Sequence, residues 1–180
     1  LSQLSADESG LAGKAHRLQK KVEGENAPVF AWGFGKAHRD MTELKGRLAA
    51  FKTDSYSQDL GRDIADTLRM LIDALKREQQ RLRQGGGGGG GGGGSGKPML
   101  VPPSAQLKLL KARELEIHNT TKRIFLKMKV KAVRRLSPLQ KKRLRRLADE
   151  QTDLGDLTKE LADALEREER ERRQELRESE

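Results

Sequence analysis

Lysine and arginine crowd into the tract Lys127-Met128-Lys129-Val130-Lys131-Ala132-Val133-Arg134-Arg135 and return at Lys141-Lys142-Arg143 and Arg145-Arg146. Cations gathered at a corner between two helices can neutralise phosphates or anionic lipid head groups and release their counterions. Lys127, Lys129, Lys131, Arg134, Arg135, Lys141, Lys142 and Arg143 are therefore the candidate polyanion-binding set. Aromatics that would stack on single-stranded bases are nearly missing, with Phe125 alone nearby. The same cations also suit a solvated face or pairing with an acidic tail.

A second candidate surface is Val29-Phe30-Ala31-Trp32-Gly33-Phe34-Gly35, which gathers three of the six aromatics beside two glycines. Phe30, Trp32 and Phe34 could form a partner-binding patch or dip into a membrane surface; equally, Phe30 and Phe34 could anchor a helical core. Glycine inside a helix costs about 1 kcal/mol relative to alanine, so close helix approach or a ligand cleft would account for the pair.

Catalytic patterns are absent. Gly91-x-x-x-x-Gly96-Lys97 satisfies most of a phosphate-loop expression, but a polar helix precedes it and Pro98 follows where a Ser or Thr should reach magnesium. His16, His38 and His118 fall on different helices, and none has a second ligand at metal-binding spacing. With no cysteine, disulfides, thiolate metal sites and a thiol nucleophile are excluded. The expectation is a non-enzyme with no cofactor and no metal.

The elements that must carry these residues are helical. Only 34% of the 180 residues are hydrophobic and 36% are charged, so burial must come from narrow Leu and Ala stripes, as in bundles and coiled coils. Ten glycines, 85–94, followed by Ser95-Gly96-Lys97-Pro98, separate two helical halves. Twelve such residues span roughly 20 Å as a random coil. The net charge of +10 is uneven: Lys108 to Arg146 holds fifteen bases against two acids, and Asp149 to Glu180 thirteen acids against six bases. No apolar run approaches the roughly 18 residues that cross a bilayer. The chain opens at Leu1 rather than Met, so the lack of a leader in these residues says nothing about export.

Five helices are expected. The first runs from Leu1 or Ser5 to Glu23, with Leu4, Leu11 and Leu18 seven apart and Leu1, Ala15 and Val22 at the companion heptad position, together a coiled-coil seam. Asn26-Ala27-Pro28 ends it and starts the second, whose stripe is Phe30, Phe34, Ala37, Met41, Leu44, Leu48 and Phe51. Ser55 and Gln58 stand at capping-box spacing before the third, which carries Leu60, Ile64, Leu68, Leu71, Leu75 and Leu82. Pro102-Pro103-Ser104 opens the fourth, with Leu107, Leu110, Glu114, Ile117, Thr121, Ile124 and Met128 as its seam. Ser137-Pro138-Leu139-Gln140 combines a Ser cap, a first-turn proline and a Gln three residues on, and starts the fifth. Leu1 to Glu25 aligns with Leu144 to Glu168, and Asp73-Ala74-Leu75 with Asp163-Ala164-Leu165, matches that heptad composition produces by convergence as readily as duplication does.

The segment Leu100-Val101-Pro102-Pro103-Ser104-Ala105-Gln106-Leu107-Lys108-Leu109-Leu110-Lys111, continuing to Asn119-Thr120-Thr121-Lys122-Arg123, resembles a recurring motif of uncharacterised bacterial helical proteins of the planctomycete type. Their layout is similar: a helical N-terminal part, a Gly- or Gln-rich low-complexity linker, a proline-led helix and a heptad-bearing helix. The resemblance implies export or association with the bacterial envelope and carries no activity to particular residues. The fold expected is all-α: a three-helix bundle over 1–84, a polyglycine linker over 85–98, and a basic helical hairpin or coiled coil over 99–180 with an acidic solvated extension. The function expected is a non-catalytic scaffold that binds a protein partner or itself through helical seams. The alternative is a nucleic-acid or polyanion binder using the basic corner.

Overall fold

The computed structural model describes residues 1–84, 101–130 and 136–178. Within them the chain is all-α, with five helices: α1 (Ser2–Glu23), α2 (Pro28–Ala49), α3 (Ser55–Gln84), α4 (Pro103–Val130) and α5 (Pro138–Glu178). The polyglycine segment 85–98 lies outside the described residues. The described chain divides into two units, one holding 1–84 with 101–106, the other 107–130 with 136–178. Val101 to Gln106, and with them the first turn of α4, thus belong to the first unit.

In the first unit α1 and α3 pack on α2. One core draws on all three: Ala12 and Ala15 from α1, Ala37, Met41 and Leu44 from α2, and Tyr56, Leu60 and Ile64 from α3. Small residues on the α1 face let the two backbones come close. An added Cβ at Gly35 would meet the Gln19 side chain at 3.0 Å, and one at Gly33 would meet Leu71 Cδ2 at 2.9 Å. Close helix approach, rather than a ligand cleft, is what the two glycines serve.

Proline at its first position starts α2, but Ala27 has no side chain to cap it. The cap comes from 77 residues away. Gln106, fully buried, accepts a hydrogen bond through Oε1 from the Val29 N–H at 3.2 Å and donates through Nε2 to the Val101 carbonyl at 3.3 Å. A buried first-turn N–H would otherwise lose its water without replacement. The other end of α2 departs from the expected stripe. The helix stops at Ala49, the Lys52 N–H bonds the Arg47 carbonyl, and Phe51 takes a left-handed φ of 54° that leaves it 73% exposed. That is the position a glycine commonly fills when a helix ends this way. Phe51 therefore leaves the seam because the backbone turns it outward.

Asp54, not Ser55, caps α3, accepting the Ser57 N–H at 3.0 Å while Arg47 Nη2 donates to both of its oxygens at 2.7 Å. The Ser57 N–H and the Arg47 guanidinium hold its carboxyl below the usual value. Before α5 the expected box is complete: Ser137 Oγ accepts the Gln140 N–H and Gln140 Oε1 accepts the Ser137 N–H.

In the second unit Leu110, Arg113, Ile117, Thr120 and Ile124 of α4 and Leu147, Glu150, Leu154 and Leu161 of α5 are buried, and the two helices meet where Arg113 reaches Glu150. The expected seam residues Leu107, Glu114 and Thr121 are exposed. Arg113 and Thr120, each one residue earlier than the expected Glu114 and Thr121, sit inside instead. Arg113 Nε and Nη2 both donate to Glu150 Oε2, and Arg113 Nη1 donates to Glu116. Burial alone would lower the guanidinium's pKa, but the carboxylates of Glu150 and Glu116 outweigh it and raise the value.

Candidate functional site

The three aromatics of the candidate partner-binding patch do not share a face. Phe30 and Phe34 are buried on the inner side of α2, where they anchor the core, and Trp32 is half-buried.

The basic set is split. Lys127 and Lys129 lie on the last turns of α4, and Lys141, Lys142 and Arg143 on the first turns of α5. Lys131, Arg134 and Arg135 lie outside the described residues. Lys141 and Lys142 are exposed and Arg143 is half-buried. One turn on, Arg146 approaches the buried Glu150 at 3.5 Å, so part of the corner's charge is directed into the α4–α5 seam.

Tertiary packing brings together two histidines that the sequence places on different helices. The rings of His16 and His38 stand 5.0 Å apart, tilted by 39°. Nδ1 of His38 lies 2.9 Å from the Ala12 carbonyl and donates to it, fixing the ring against α1. His118 is exposed on α4. Among the described residues no group of three or more His, Cys, Asp or Glu is placed to hold a metal ion.

An exposed leucine stripe runs along α1. The helix packs on α2 through Ala12, Ala15 and Val22, which leaves the leucine stripe to one side of that contact. Leu1, Leu4, Leu11 and Leu18 are between 44% and 54% exposed. Leu4, Leu11 and Leu18 occupy the same heptad position over two full repeats, the spacing that keeps a seam facing one partner helix. A 100° step per residue sets Asp7 and Lys14 along the outer margin of the stripe. Both side chains are exposed. Helix-interior Gly10 borders the same margin, and a Cβ there would meet nothing within 4 Å. Sequence reasoning identified the heptad but could not say that the α1–α2 contact would use the alanine face and leave the leucines outside.

The second unit carries its own apolar groove, open and of about 540 Å³, along Leu107, Leu110 and Leu154 with Lys111, Glu114 and Lys159 at its edges. Among the described residues no helix is long and apolar enough to cross a membrane. No protein-family model matches the chain, and neither a curated protein nor a solved structure matches it. The class that fold and surfaces define is an all-α protein of two helical units.

Proposed function

We propose that this protein is a non-catalytic helical scaffold that works by protein–protein interaction through exposed seams. The observation that carries the reading is the α1 stripe: three leucines at heptad spacing, each near half exposed, beside the face through which the helix is already packed on α2. Exposed leucines scattered singly are ordinary, whereas a continuous stripe with coiled-coil spacing is the form in which one helix recognises another. The resemblance of the proline-led segment to exported bacterial proteins supports an envelope-associated assembly as the setting. The second reading, polyanion binding at the basic corner, draws on the exposure of Lys122, Arg123, Lys141, Lys142 and Arg145.

Sedimentation at low and high salt, with and without a mixed pool of nucleic acid, separates the two. An apolar seam survives added salt, so the scaffold sediments as an assembly at either ionic strength and ignores the nucleic acid. A monomer that co-sediments with nucleic acid only at low salt would transfer the function to the basic corner, and replacing Lys141 and Lys142 by Glu would then abolish the binding.

A further inference from the structure

The stripe on α1 is self-complementary. Leu4, Leu11 and Leu18 are evenly spaced, so a two-fold axis at Leu11 lays Leu4 over Leu18 of a second copy, Leu11 over its counterpart, and Leu18 over the second copy's Leu4. The flanking charges follow the same symmetry. Asp7 and Lys14 lie on the outer margin seven residues apart, and in the antiparallel arrangement each Asp7 comes beside the Lys14 of the other copy, giving two equivalent ion pairs. In a parallel arrangement the two-fold axis would put the two copies of each residue on opposite flanks of the seam, and neither Asp7–Lys14 pair would form. The amide of Gln3 donates to Asp7 at 2.9 Å, so that carboxylate is already oriented within its own helix.

We infer that two copies of this chain associate through an antiparallel α1–α1 seam centred on Leu11, with Asp7 and Lys14 setting its direction. This deepens the scaffold reading and rests on it. The contact is isologous and closes on itself, so it gives a dimer and not a filament. Three leucine layers make a short seam, so the dimer forms in a concentration-dependent way.

The full chain contains no cysteine, which permits a direct test. Under mild oxidation Leu11→Cys should form a disulfide-linked dimer by itself. Leu4→Cys alone should not, but Leu4→Cys mixed with Leu18→Cys should give the mixed dimer. A Leu4→Cys homodimer would overturn the antiparallel direction. Leu11→Glu should convert a sedimenting dimer to monomer with its far-ultraviolet circular dichroism unchanged, because Leu11 is not part of the folded core. Asp7→Lys should weaken the dimer and the double change Asp7→Lys/Lys14→Asp should restore it. Assembly that persists in Leu11→Glu, without cross-linking at any of the three positions, would overturn the α1 seam while leaving the scaffold reading intact. A chain that stays monomeric at all concentrations and binds nucleic acid in low salt would overturn both.

Discussion

Phe51 holds a left-handed backbone conformation with its ring in water, two costs at one position. The Cβ clash of that conformation costs an ordinary residue about 1–2 kcal/mol, which glycine avoids. Phe51→Gly is therefore expected to raise the denaturant midpoint of the first unit, a gain of about 1 kcal/mol after the entropy of glycine in the unfolded chain is counted. Gly33 runs the opposite way. Alanine there would gain about 1 kcal/mol of helix propensity but push into Leu71, a side chain only 1% exposed with nowhere to move. Overpacking of that kind costs about 1–3 kcal/mol, so Gly33→Ala should lower the thermal midpoint, whereas Gly46→Ala, with nothing in reach of the new methyl, should raise it. Glu8 adds a pH dependence. One of its oxygens is buried without a hydrogen-bond partner, and burial, helped by the neighbouring Asp7 charge, raises its pKa. A raised carboxyl favours the fold while protonated and loses that advantage as pH rises through its folded value. Glu8→Gln should therefore be more stable than the natural chain near neutrality, and the difference should vanish in acid, as read by urea unfolding at several pH values.

At the scale of elements, what could be read from the sequence was whatever is decided locally. The Ser137 to Gln140 box lies within four residues and forms as its chemistry dictates, and Pro28 begins α2 for the same reason. The inner face of α2 from Phe30 to Leu44 follows from spacing alone. The α4 seam does not. Leu110, Ile117 and Ile124 are seven apart and leave two adjacent choices for each layer between them. Glu150 on α5 decides the first in favour of Arg113 over Glu114, and no property of α4 by itself could have said so. Removing one partner of a buried pair strands the other, at about 3–5 kcal/mol, while replacing both with apolar residues is often neutral or stabilising. Arg113→Met should accordingly destabilise the second unit strongly, and Arg113→Met/Glu150→Leu should recover most of the loss, a comparison that chemical denaturation of the three proteins makes directly. The Gln106 cap and the meeting of His16 with His38 were hidden for the same reason: their partners lie 77 and 22 residues apart in the chain, and only the fold joins them.

For the molecule as a whole, the boundary that matters to stability is not the glycine run. The first unit reaches past it to take in Val101, which is fully buried, and Gln106. A fragment ending at residue 84 should melt at a lower temperature than one ending at residue 112, by the loss of a buried hydrogen bond of about 1–3 kcal/mol and of the Val101 contact besides. Gln106→Ala in the intact chain should reproduce part of that deficit without removing Val101.

The cap on α2 also gives the chain a clock during synthesis. When residue 84 has just been added, all three helices of the first unit have been made, but the side chain that accepts the Val29 N–H has not. Twenty-two more residues must be polymerised before Gln106 exists, about 1–4 s at ordinary rates of elongation. Through that interval the nascent bundle keeps an open first turn on its central helix, and its last hydrogen bond arrives only once the second half of the protein has begun to emerge.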